Sequence, residues 1–84
     1  MDGAIVKVFR LYGTSACHLC ELAASMIMPQ LVALEDIAVE ETDIGESDEL
    51  FERHGLRIPV LQHPDGRELN WPFTAPQIQA FLTS

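Results

Sequence analysis

Tyr12-Gly13-Thr14-Ser15-Ala16-Cys17-His18-Leu19-Cys20 carries both cysteines of the chain, two residues apart. Upstream, Ala4 to Leu11 is an almost continuous apolar run rich in β-branched and aromatic side chains, the pattern of a strand covered on both faces. Gly13 permits a sharp change of direction. Downstream, Leu19, Leu22, Ala23, Met26, Ile27, Leu31 and Leu34 recur at helical spacing, predicting a helix from about His18 to Leu34. The two sulfurs therefore fall where a strand hands over to a helix N-terminus. The first N–H groups of a helix have no partner within it and together carry roughly half a positive charge. A thiolate placed there is stabilised, with a pKa that falls from about 8.5 to roughly 3.5–7.5.

The rest of the chain supplies a frame for that junction. Pro29 removes a bond to the Ser25 carbonyl and predicts a kink between these residues. Ile37 to Thr42 reads as a second strand whose glutamates suit a sheet edge. Strand, helix and strand within about forty residues form a βαβ unit with parallel strands and a right-handed crossover. Ser47 is an N-cap for a short helix through His54, with Leu50 and Phe51 facing inward and Gly55 closing it as a C′ residue. His54 is expected to meet the last carbonyls of that helix. Arg57 to Gln62 reads as a third strand, and Asp65-Gly66 marks a hairpin to a fourth, Glu68 to Trp71. Thr74-Ala75-Pro76-Gln77 has the spacing of a capping box opening a last helix that buries Ile78, Phe81 and Leu82. The order is βαβαββα, an α/β fold with a four-stranded mixed sheet flanked by helices, in one domain spanning residues 1–84.

Composition narrows the partners. The 84 residues carry 5 basic and 13 acidic side chains, a net charge of −8. Nucleic acid and anionic membrane both require clustered Lys and Arg, so neither is expected as a partner. The acidic residues crowd between Glu35 and Glu52, which reads as a solvated face, or else as a surface that steers a basic partner. Met1-Asp2-Gly3 offers no basic n-region and no cleavage site follows, so a cytoplasmic protein is expected. In that compartment a disulfide tends to be transient and catalytic. The Met26-Ile27-Met28 cluster reads as core.

A C-x-x-C that follows a strand and opens a helix, with Ile58-Pro59 at a later strand, is more specific than the spacing alone. A proline inside a strand usually marks a cis bond or an exposed main-chain edge. Together these features resemble the glutaredoxin and thioredoxin families over almost the whole chain. The segments Leu11 to Leu22 and Gly55 to Leu61, with Trp71-Pro72-Phe73, resemble the small bacterial glutaredoxin-like proteins most. The resemblance implies the thioredoxin-like fold and a dithiol–disulfide oxidoreductase, serving cell redox homeostasis and electron transfer. It implies that Cys17 attacks a substrate disulfide and Cys20 resolves the mixed disulfide, leaving a redox-active Cys17–Cys20 disulfide. Pro59 would be the cis-proline beside the sulfurs, and the main chain of Ile58 would pair with an extended substrate. His18 is a candidate to stabilise the thiolate when protonated, or else a solvent-exposed histidine. Tyr12 is a candidate for the border of the site, or else a partly buried strand-end aromatic.

The sequence also departs from the family pattern. Thr14 stands where many glutaredoxins carry a lysine for a glutathione carboxylate. The small pair that precedes their last helix is replaced by bulky Asn70-Trp71-Pro72-Phe73-Thr74. Arg57 and the helix start at Thr74 remain as candidate donors. No tightly bound cofactor is expected, with glutathione a candidate co-substrate. The implied partners are a disulfide-containing protein or a glutathione mixed disulfide, and a cellular thiol reductant or reductase, for a monomeric protein. Two alternatives stay open: zinc or iron–sulfur binding through the C-x-x-C with some of His18, His54 and His63, and a non-catalytic binding module of the same shape.

Overall fold

The computed structural model describes residues 6–55 and 57–84. Ala4 and Ile5 of the expected first strand, and Leu56 of the Gly55–Leu61 segment, lie outside the described residues. The elements run β1 (Lys7–Gly13), α1 (His18–Leu31), β2 (Ile37–Asp43), a 3₁₀ turn (Ile44–Glu46), α2 (Asp48–His54), β3 (Val60–Gln62), β4 (Glu68–Asn70) and α3 (Ala75–Leu82). The sheet order is β2-β1-β3-β4. β1 and β2 are parallel in unbroken register from Lys7↔Ile37 to Gly13↔Asp43. β3 is antiparallel to both β1 and β4. This is the βαβαββα order expected, with the glutamate-rich β2 on an edge.

Most of the core lies on one face of the sheet. Phe9, Leu11 and Leu61 project from the strands and meet Ala23 and Ile27 of α1 and Ile78 and Leu82 of α3. On the opposite face only a smaller cluster forms, from Tyr12, Val60 and Ile44 with Leu50 and Ile58 against it. The expectation that β1 is covered on both faces therefore fails over half its length: Val8 and Arg10 are exposed. The covering helix on that side, α2, has only seven residues and shields only the Tyr12 end.

Local signals explain where the elements stop. The β1 assignment reaches Gly13 because β2 continues to Asp43 beside it. Pro29 lies inside α1 without ending it. The helix stops at Leu31 rather than Leu34, where a tight turn from the Leu34 N–H to the Leu31 carbonyl (3.0 Å) takes over. Ser47 caps α2 by accepting the Leu50 N–H at 3.3 Å. Gly55 follows α2 with φ −53°, in the right-handed region and not as a left-handed C′ residue. Glycine suits it because a Cβ there would lie 2.5 Å from the Phe51 carbonyl oxygen, the atom that accepts its N–H. Phe51, expected inside, is 59% exposed. From α2, Leu50 packs against the small second cluster and His54 stacks on its Tyr12, while Phe51, about 100° further round the helix from Leu50, lies off that side.

The β3–β4 hairpin turns at Pro64-Asp65, with the Gly66 N–H on the His63 carbonyl at 2.9 Å. Gly66 then adopts φ +101°, the left-handed conformation that glycine adopts at no steric cost. β3 begins at Val60, so Ile58 and Pro59 precede it. The peptides before Pro59 and Pro72 are cis. α3 opens with a reciprocal capping box, Gln77 N–H to Thr74 Oγ1 at 3.3 Å and Thr74 N–H to Gln77 Oε1 at 2.7 Å. Phe81 is only partly buried there.

Candidate redox site

Cys17 is the N-cap of α1. Its backbone is extended (φ −95°, ψ 105°), and its side chain occupies the place where a serine or aspartate would cap. A turn from the Cys17 N–H to the Thr14 carbonyl (3.3 Å) brings the chain from β1 into the helix. The Cys20 N–H donates to Cys17 Sγ at 3.1 Å, so a main-chain donor of the first helical turn is aimed at the sulfur. The two cysteines are joined as a disulfide, with Cα atoms 5.2 Å apart. Cys17 is half-buried, whereas Cys20 is 8% exposed. An incoming reagent therefore reaches the first sulfur more readily than the second.

Gly13 explains how Cys20 fits. A Cβ on Gly13 would lie 2.8 Å from Cys20 Sγ and 3.0 Å from its Cβ. The last residue of β1 must therefore lack a side chain for the second sulfur to lie against the strand. Beside Cys20 is a cavity of about 270 Å³, walled by Gly13, Thr14 and Ser15 on one side and by Glu41 and Asp43 of β2 on the other. Glu41 and Asp43 are paired in register with Leu11 and Gly13, so the acidic edge strand contributes negative charge to this side of the site.

The sheet also brings Pro59 to the same end. Val60 pairs with Tyr12, which places the cis Ile58–Pro59 peptide beside the end of β1, where the cysteine turn begins. The Pro59 carbonyl accepts the Trp71 N–H at 3.3 Å, tying it toward β4. The Ile58 N–H donates to the His54 carbonyl at 3.1 Å. Of the two main-chain groups of Ile58 expected to receive substrate, the donor is thus already engaged.

The remaining sequence candidates separate. His18 is exposed beside Cys17, with Nδ1 3.7 Å from Glu21 Oε2. Tyr12 is buried in the second cluster; its hydroxyl donates to Gln62 Oε1 at 2.8 Å and its ring stacks on His54 at 4.5 Å. Arg57 is engaged with the Arg53 carbonyl, the His54 ring and Glu68. The helix start at Thr74 is likewise occupied by Gln77. Trp71 and Phe73 pack edge to face, centroids 5.2 Å apart.

His54 is the residue whose placement sequence reasoning missed. Its ring, expected at the last carbonyls of α2, instead lies 1% exposed between Tyr12 and Arg57. Burial pushes its pKa below the ordinary 6.5, opposed by Glu68 and reinforced by Arg57 and Arg53. The only sequence signal was its helical position, three residues before Arg57 and on the side of α2 that carries Leu50. Among the described residues, no group of three or more His, Cys, Asp or Glu side chains is arranged to hold a metal ion. No helix among them is long and apolar enough to cross a membrane.

The comparisons agree with this architecture. Residues 9–83 match the model of the family described as Glutaredoxin-like domain (DUF836). No curated protein matches the chain. Among solved structures, the X-ray structure of structural-genomics target protein XcR50 from X. campestris is 40% identical, with a TM-score of 0.76 over 89% of this chain and 95% of that one. The solution structure of XcR50 gives 37% identity and a TM-score of 0.74, over 89% and 91% of the two chains. Protein Ne2328 from Nitrosomonas europaea shares the fold at 23% identity, with a TM-score of 0.76 over 98% of both chains. The chain belongs to the glutaredoxin-like family, has the thioredoxin-like fold, and carries a cysteine pair that fits a thiol–disulfide redox function.

Proposed function

We propose that the protein is a dithiol–disulfide oxidoreductase that acts on disulfides in extended peptide or protein segments. The observation that carries this reading is the Cys20 N–H aimed at Cys17 Sγ from the first turn of α1. A donor in that position stabilises the sulfur most when it is an anion.

The cycle starts from the reduced pair. The Cys17 thiolate attacks one sulfur of the substrate disulfide; a Cys17–substrate disulfide forms and the second substrate sulfur leaves as a thiolate. Cys20 then loses its proton to solvent and attacks Cys17 Sγ. The substrate departs with two electrons gained across its original disulfide, and the Cys17–Cys20 disulfide remains. A cellular thiol reductant or reductase restores the dithiol. The short Cα separation and the place of Cys20 against Gly13 support rapid closure. With the Ile58 N–H held by the His54 carbonyl, the Ile58 carbonyl beside Pro59 is the main-chain group on which an extended substrate docks.

Peptide disulfides are favoured over glutathione by the pairing of the candidate donors. The two donors available for glutathione carboxylates, Arg57 and the Thr74 N–H, are both paired within the chain. Glu41 and Asp43 add negative charge on the Cys20 side. The test is disulfide reduction measured in parallel with glutathione and with a thioredoxin-type reductase as electron donor. Cys17-dependent turnover with the reductase, and slower turnover with glutathione, is expected; no turnover with either donor refutes the enzyme reading.

A further inference from the structure

Arg57 is the most connected cation of the described residues, and none of its bonds reaches the cysteine pair. Nε and one terminal nitrogen donate to the Arg53 carbonyl at 3.2 and 3.1 Å. The same terminal nitrogen lies 3.1 Å from His54 Nδ1, and the other donates to Glu68 Oε1 at 3.2 Å. His54 completes the link: its carbonyl accepts both the Arg57 N–H (2.8 Å) and the Ile58 N–H (3.1 Å), while its ring stacks on Tyr12 with planes 14° apart. One guanidinium thus joins the end of α2, a buried ring against β1, and a carboxylate on β4, immediately before the Ile58–Pro59 peptide.

We infer that Arg57 is a positioning residue: by clasping His54 and Glu68 it holds the Ile58 main chain where the substrate strand docks. The inference rests on the redox reading above. Arg57 was the natural candidate for contacting a substrate carboxylate directly, but four of its five N–H donors are committed to the Arg53 carbonyl, the His54 ring and Glu68. A lysine offers a single ammonium on a flexible stem and cannot span the three partners at once. Loosening the clasp leaves the sulfur chemistry at the start of α1 intact, because none of the groups involved touches Cys17 or Cys20.

The state of His54 follows from the same contacts. A guanidinium has no acceptor, so Arg57 donates to Nδ1 and the ring proton sits on Nε2, which is 3.7 Å from Glu68 Oε2. The charged groups facing the ring are Arg57, Arg53 and Glu68, and Tyr12 covers its face. A second proton on Nδ1 would oppose the guanidinium and remove that one contact, leaving those to the Arg53 carbonyl and Glu68.

The experiment compares wild type, Arg57→Ala, Arg57→Lys and Glu68→Gln. The substrates are two disulfide peptides of equal length, one uncharged and one with carboxylates flanking the cysteine. Arg57→Ala is expected to raise KM about tenfold for both peptides, the effect of losing a charge-assisted hydrogen bond. Cys17 alkylation by iodoacetamide should stay within about twofold of wild type. Arg57→Lys is expected to restore only part of the loss, and Glu68→Gln to raise both KM values by a smaller common factor, so the idea remains testable if Arg57→Ala does not fold. An increase confined to the carboxylate peptide would show direct substrate contact and overturn the inference. So would unchanged KM in both Arg57 variants, while an active wild type leaves the redox reading standing. Absence of Cys17-dependent reduction in wild type removes both.

Discussion

Gly13 and Cys20 are packed so closely that a single methyl group on the glycine would sit 2.8 Å from the cysteine sulfur. The contact joins the end of the central strand to the second sulfur and leaves Cys20 little room to move. In the disulfide Cys20 Sγ is tethered against the position of such a methyl group, and reduction removes that tether.

The contact predicts a redox-dependent cost. Gly13→Ala should destabilise the protein by about 1–3 kcal/mol, the usual range for overpacking, and more in the oxidised than the reduced form. Urea denaturation of both forms measures this. Equal losses in the two forms would mean that the strand, and not the sulfur, absorbs the clash.

At the helix start, capping and chemistry can be separated. Serine caps helices well, so Cys17→Ser should abolish disulfide reduction yet retain most of the α1 capping energy. Cys17→Ala should abolish reduction and also cost about 1 kcal/mol, through loss of the acceptor for the Cys20 N–H. Thermal melts of the two variants under reducing conditions, compared with the similarly reduced wild type, give the comparison. Identical stabilities would argue that the sulfur does not cap the helix.

The division of labour between the sulfurs has its own signature. In Cys20→Ser the mixed disulfide on Cys17 has no resolving thiol and should accumulate as a stable adduct, visible by intact-mass spectrometry. Iodoacetamide should alkylate reduced Cys17 with a pH midpoint below the ordinary thiol value of about 8.5. A midpoint at or above that value counts against activation by the helix start.

His54 predicts acid sensitivity. Its pKa is depressed in the folded state, so the unfolded chain binds more protons as pH falls through 6.5, and stability declines on that side. The contribution is present in full above the unfolded value and is lost progressively as pH falls toward the folded one. Urea midpoints between pH 7.5 and 5 should therefore drop in wild type and drop less in His54→Gln. Parallel curves would remove His54 as the titrating group.

Capping also sets the stability of α3. Thr74→Ala removes the acceptor for the Gln77 N–H and should cost about 0.5–2 kcal/mol, read from the shift in urea midpoint.

Much of this architecture was readable in one dimension. The strand, glycine, C-x-x-C and amphipathic helix predicted the βαβ unit; Ser47, Pro64-Asp65-Gly66 and the Thr74–Gln77 box predicted the caps and the turn. These features depend on backbone conformation and on contacts a few residues apart. Phe51 and His54 were harder, because which side of α2 is covered depends on how far so short a helix reaches across the sheet. Arg57 was read as a donor facing substrate, since nothing in its neighbourhood along the chain shows that Glu68, eleven residues away, is its partner.

By itself, then, the order of residues determined the elements, the N-caps of α2 and α3 and the place of both sulfurs at the mouth of α1, because such properties arise from propensity, periodicity and local hydrogen bonding. Only the tertiary structure decided that Gly13 presses on Cys20, that Pro59 arrives beside the end of β1, and that His54 lies buried under the Arg57 guanidinium. Each of those contacts depends on strand pairing and helix placement between segments distant in sequence, and burial and charge pairing exist only once those segments have packed.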